Sequence, residues 1–152
     1  MPNKIRIVFL IDYFHRIGGT ERHLALLAEW LQKSTFECTI VALDLGANPL
    51  LDRLRALPDE MRVYCAHEYT QSNARFAVTI ETDNPQLVAR RDSVDAARAR
   101  GEATVPSLLG EEKQTNPFLR ADKPGVQKAV GMAGQDPVKV FAEVRHRKDV
   151  FR

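Results

Sequence analysis

The apolar positions of this chain change rhythm about a third of the way along. From Lys4 to Ile11 they fall on both parities, with Ile5, Ile7, Phe9 and Ile11 interleaved by Val8 and Leu10. A strand wetted on one face would alternate, so this run predicts a strand buried on both faces, as in a parallel sheet covered by helices. Gly18 and Gly19 permit a tight turn, and Thr20 is placed to cap a helix that carries Glu21 in its first turn. Leu24, Leu27, Ala28 and Leu31 recur at helical spacing and predict one apolar face. Ser34 and Thr35 then lead into a second buried strand, Glu37 to Leu43. The expected unit is βαβ.

After Gly46, Asn48 and Pro49, the segment Leu50 to Leu57 reads as a short helix, and Pro58 with Asp59 turns the chain into a short strand, Met61 to Cys65. Helices are expected at about 69–82, 85–100 and 137–151, with a long irregular segment from Gly101 to about Lys123. Asn84 before Pro85, and Asp136 before Pro137, each set a capping side chain ahead of a proline whose missing N–H costs nothing in the first turn. Gly101 is a natural stop for the middle helix. No internal repeat or low-complexity tract interrupts the pattern. The expected fold class is α/β: a short parallel Rossmann-like βαβ unit over 1–50, followed by a mostly α-helical C-terminal part over 51–152.

Composition adds limits. The chain's 152 residues suit one core or two small ones, and 22 basic against 20 acidic residues give a formal charge of +2, too small to argue for nucleic-acid or membrane partners. Arg90, Arg91, Arg98 and Arg100 crowd one helix and read as a solvated face. Arg145, Arg147, Lys148 and Arg152 crowd the end, where an anionic small ligand and plain solubility are both open readings. Cys38 and Cys65 sit in apolar stretches without C-x-x-C spacing, which argues against a disulfide framework or zinc knuckle and for reduced thiols. The first apolar run contains Arg6 and stops at Asp12, unlike a signal peptide, and no run approaches a membrane span; a soluble, cytoplasmic protein is expected.

The stretch Lys4 to Leu45, with Ile17-Gly18-Gly19-Thr20-Glu21-Arg22-His23 between strand and helix, resembles the opening of retaining GT-B glycosyltransferases over about the first third of the chain. That resemblance implies that Gly18 and Gly19 let backbone N–H groups approach the phosphates of a nucleotide sugar, because a helix N-terminus favours anions. A plain tight turn is the alternative. Nothing after Leu57 reads as the second Rossmann-like domain such an enzyme uses for its donor.

From about Asp52 onward the chain resembles a different family. The runs DRLRALPDEMRVYCAHEYTQSNARFA, ETDNPQL, TVPSLLGEEKQTNPFLR and FAEVRHRKDVF resemble glyoxalase II, the hydroxyacylglutathione hydrolases, in order and nearly to Arg152. The resemblance implies the end of a metallo-β-lactamase sandwich followed by a helical domain that helps to bind a glutathione thioester. It implies a fusion with its junction between Ala47 and Leu57. In the Cys65-Ala66-His67-Glu68-Tyr69-Thr70 motif it assigns His67 to a metal, zinc or iron, and Tyr69 to glutathione; in the R-x-x-K-D element it assigns Arg145 and Lys148 to glutathione. Leu108 departs from the threonine more usual there.

The same residues can be weighed on chemistry alone. A histidine past a short strand suits metal ligation, since the strand end fixes the imidazole, although a lone histidine is more often structural. Two cations three residues apart on a helix can grip one anion, or can simply face solvent opposite Val140, Phe141 and Val144. A hydrolytic metal site needs several ligands and an open position. The four histidines are His15, His23, His67 and His146, no two in H-x-H spacing, and the T-H-x-H-x-D-H motif of the family is absent. The resulting expectation is a hydroxyacylglutathione hydrolase-like chain with an incomplete metal site and little activity alone. The alternatives are a non-catalytic glutathione-binding or interaction module, and a glycosyltransferase fragment. Apolar surface left by a missing sandwich points to self-association.

Overall fold

The computed structural model describes residues 5–11, 26–27, 30, 36–42, 55–65 and 67–151. Gly18, Gly19, Thr20, Glu21, His15, His23 and the 43–54 stretch, with most of the proposed junction, lie outside the described residues. Strands β1 (Ile5–Ile11) and β2 (Phe36–Ala42) pair in parallel and in register, from Ile5 with Phe36 to Ile11 with Ala42. Leu26, Leu27 and Trp30 between them are helical. Leu27, expected on the apolar face, is 45% exposed, so the described part of that helix does not bury it. A short β3 (Arg62–Val63) meets β1 in parallel at Val8 and Val63, and β4 (Ser107–Leu108) closes the row antiparallel to β3, giving the order β2-β1-β3-β4.

The rest of the described chain is mostly helical. Helices α1 (Thr70–Ile80), α2 (Pro85–Ala99) and α5 (Pro137–Val150) stand within a residue or two of their expected places. The starts of α2 and α5 follow the capping logic, while α1 begins without a side-chain cap: Asn84 Oδ1 accepts the Leu87 N–H at 3.2 Å, and Asp136 Oδ1 accepts that of Val138 at 2.9 Å. Gly101 ends α2 with φ +75°, a conformation that disfavours a side chain.

The segment expected to be irregular is largely ordered into elements. It holds β4, helix α3 (Leu109–Thr115) and a 3-10 turn (Pro117–Arg120), and is followed by α4 (Pro124–Ala129). Pro117 within it and Pro124 just after it start elements instead of breaking them, each at a first helical position, and Asn116 caps the 3-10 turn by accepting the Phe118 N–H at 3.0 Å. The strand expected over Met61 to Cys65 shrinks to two residues, because only Arg62 and Val63 find partners in β4.

Two apolar clusters hold this unit together. The larger takes Phe76 and Ile80 from α1, Ala121, Val126 and Val130 from around α4, and Val140 and Val144 from α5, with Phe118, Met132, Phe141 and Phe151 packed around them. Val140 and Val144, four apart, put one stripe of α5 fully inside. The smaller cluster joins Met61 to Leu109, flanked by Leu57, Val63 and Leu119. Gly110 lets α3 lie against the 58–61 turn: its N–H donates to Asp59 O at 3.0 Å, and a Cβ there would stand 2.8 Å from Asp59 Cβ. Cations fasten the same edges. Arg55 donates to Leu119 O and Asp122, Lys113 to Leu57 O and Asp59, and Arg120 makes a two-pronged pair with the buried Glu81 at 2.7 and 2.9 Å. No described helix is long and apolar enough to cross a membrane.

Candidate functional site

A cleft of about 470 Å³ opens where the segment after β3, α1, the start of α3 and the end of α5 converge. Its lining includes Cys65, His67 and Tyr69 from the first, Asn73 and Phe76 from α1, Arg90 from α2, Glu112 from α3, and Arg145 and Lys148 from α5. The four residues singled out as His67, Tyr69, Arg145 and Lys148 thus share one concavity, although nearly eighty positions separate the two pairs.

His67 and Tyr69 stand at its exposed side, with their rings stacked 5.2 Å apart at 15°. Between them, Glu68 turns away to fix the segment. It accepts from the Thr104 hydroxyl at 2.7 Å, the Thr104 N–H at 3.0 Å and the Thr70 hydroxyl at 2.8 Å. These bonds, first the two from Thr104, hold its pKa down to about 2. The motif is therefore tied to the extended stretch before β4 by its glutamate, which leaves the two rings free to face the cleft.

The two cations differ. Arg145 is exposed and pairs with Asp149 at 2.7 Å, a surface contact that a better anion can displace at small cost. Lys148 is half-buried: its Nζ lies 5.3 Å from the ring centroids of both Phe76 and Phe151 and 3.5 Å from Ser72 Oγ. Burial, and then the charge of Arg145, lower its pKa. Arg145 thus stands exposed at the cleft, whereas Lys148 is half-buried against two rings.

Arg90 overturns the solvated-face reading of its own cluster. Its side chain is 10% exposed, pairs with the 14% exposed Glu112, and also donates to Thr115 Oγ1 at 2.5 Å. Glu112 accepts further from Ser107 Oγ at 2.7 Å and Asn116 Nδ2 at 2.9 Å. Burial alone would raise the Glu112 pKa, but the hydrogen bond and charge of Arg90, with Ser107 and Asn116, bring it below the ordinary value. Arg91 and Arg100 do lie outside, on Asp92 and Glu102. Glu112, Thr115 and Asn116 lie in the segment expected to be irregular, so only helix α3 and the 3-10 turn after it give their spacing a meaning.

Cys65 stands elsewhere than its sequence context predicts. It was expected at the end of a buried strand, yet it lies past the last paired residue of β3 and is exposed. Partial burial of the thiol, then Glu112 and Glu68, push its pKa up against the pull of Arg90, which disfavours a thiolate nucleophile. Among the described residues no group of three or more His, Cys, Asp or Glu side chains is placed to hold a metal ion. Among those residues His67 therefore has no companions for a multi-ligand site. What the arrangement can do is receive an anion: a lysine amine and an arginine on one wall, a phenol and an imidazole on another, and apolar surface from Phe76 between.

The family described as hydroxyacylglutathione hydrolase C-terminus matches residues 68–151. Similar curated proteins include hydroxyacylglutathione hydrolases of Methylococcus capsulatus, 60% identical over 102 residues, and Ruegeria pomeroyi, 58% identical over 101; these alignments cover 67% and 66% of this chain and 40% of each relative. That of a Synechococcus strain is 57% identical over 101 residues, 66% of this chain and 39% of the relative. The chain spans about 40% of the length of these relatives.

Proposed function

Because the chain belongs to the hydroxyacylglutathione hydrolase C-terminus family, we propose that its cleft receives the glutathione part of a glutathione thioester, while the chain alone hydrolyses that thioester little or not at all. The observation that carries the reading is the convergence of Tyr69, Arg145 and Lys148 on one concavity beside His67. Glutathione carries two carboxylates; Arg145 and Lys148 answer one of them in charge, and the Tyr69 hydroxyl offers a hydrogen bond. Hydrolysis of S-D-lactoylglutathione to glutathione and D-lactate is the reaction of the parent enzymes. It needs a metal-bound water, and among the described residues no cluster of ligands gathers beside His67 to hold one.

The reading divides the chain into a glycosyltransferase-like segment over 1–50 and a glyoxalase II part over 51–152. The parallel pairing of β1 with β2 around helical residues is compatible with the first. A nucleotide-sugar site at Gly18 and Gly19 has only the sequence motif behind it.

The test is direct. Titration calorimetry of the full chain with glutathione should give saturable binding, weakened at least tenfold in an Arg145→Ala/Lys148→Ala double variant that keeps its thermal midpoint. After incubation with zinc or iron, the chain and its His67→Ala variant should both fail to hydrolyse S-D-lactoylglutathione. Turnover lost in His67→Ala would reveal a complete metal site and refute the second half of the proposal; absence of any binding would refute the first.

A further inference from the structure

Beside the cleft, the proposed function leaves unused the pair of rings around Lys148, Phe76 from the cleft lining and Phe151 behind it. Phe76 comes from the middle of α1 and is 2% exposed; Phe151 follows the last residue of α5 and is half-buried. Their rings meet edge to face, 5.5 Å apart at 64°. Lys148 Nζ is equidistant from both, 5.3 Å from each centroid, and Ser72 Oγ lies 3.5 Å away. Both distances fall within the range where a ring's negative face attracts a cation. The same α5 turn offers Lys148 another course, outward to solvent beside Arg145, and a four-carbon stem has the freedom to take it.

We infer that Phe151 and Phe76 are positioning residues for Lys148: they hold its ammonium at the cleft so that an incoming carboxylate meets a cation already in place. This deepens the glutathione reading and rests on it. Phe76 is a core residue that also stacks on Phe118, so its replacement would disturb packing generally. Phe151 sits at the edge of that core and is the position to change. Phe151→Leu keeps an apolar body and removes the ring; Phe151→Trp keeps the ring face.

Two measurements on the full chain separate the possibilities. In the free protein, the Lys148 side-chain methylene signals should be shifted upfield by the rings, return toward random-coil positions in Phe151→Leu, and stay shifted in Phe151→Trp. By calorimetry, Phe151→Leu should weaken glutathione binding about threefold to fivefold, as expected for loss of one ring of the pair, with the thermal midpoint little changed and with affinity regained in Phe151→Trp. Unshifted Lys148 signals in the parent chain overturn the inference. So does glutathione binding that Lys148→Ala weakens and Phe151→Leu does not, or that Leu and Trp variants weaken alike. A parent chain with shifted Lys148 signals and no affinity for glutathione sinks the ligand proposal while supporting the ring clamp.

Discussion

Replacing Glu112 by glutamine tests the least expected feature of the cleft. Glu112 and Arg90 are 14% and 10% exposed, and the carboxylate also answers Ser107 and Asn116. Removing one member of such a pair leaves the other charge buried, which costs roughly 3–5 kcal/mol where no other partner remains. Here the amide oxygen still accepts one bond, and the exposed Glu111 stays 3.5 Å from Arg90 Nε. The cost should fall to about 2–3 kcal/mol, equivalent to a thermal midpoint lower by about 10–20 °C in a domain of this size. Urea unfolding at pH 7 should show the midpoint moving with little change of slope. A cycle with Arg90→Met should find the double variant less damaged than the summed singles by at least about 1 kcal/mol. A loss below about 0.5 kcal/mol, or additivity within that margin, would refute the claim that the pair acts as one buried unit.

Two further outcomes follow from the geometry. Gly110→Ala should destabilise by about 1–3 kcal/mol despite alanine's better helix propensity, because its Cβ would stand 2.8 Å from Asp59 Cβ, an atom with no freedom to swing aside; Asp59→Gly in the same background should recover part of the loss in a thermal melt. Glu68 titrates near 2 when folded and near its ordinary 4.5 when unfolded, so its contribution is present above pH 4.5 and is lost as pH falls toward 2. Urea midpoints across that window should fall less steeply in Glu68→Gln than in the parent, and equal slopes would show that the Thr104 and Thr70 bonds do not favour the charged carboxylate.

The helices with one clear apolar stripe and a capped start were legible in the sequence. Val140 and Val144, with Asp136 and Pro137 ahead of them, say helix locally and need nothing from elsewhere. Segment 101–123 was not legible, because Pro106, Asn116 and Pro117 look like breakers until one knows which residue each precedes. The site divides in the same manner. The cations of α5 announce themselves by spacing, whereas Arg90 looks like its exposed neighbours; only α3, packed against α2, makes it an interior residue. Nor does anything in the spacing of Phe76 and Phe151, seventy-five positions apart, say that they meet over a lysine.

The bonds from Arg55 and Lys113 bear on how this polypeptide can be taken apart. Arg55 reaches 64 residues forward to Leu119 O, and Lys113 reaches 56 back to Leu57 O. Both end on backbone carbonyls, so the tie survives side-chain replacement at the receiving position but not removal of the peptide itself. A fragment begun at Thr70, where the helices start, would carry Leu109 without Met61 above it and Lys113 without its acceptor. The short stretch 55–63 is thus the lid of the helical body, and a cut that leaves that body whole must fall ahead of Arg55.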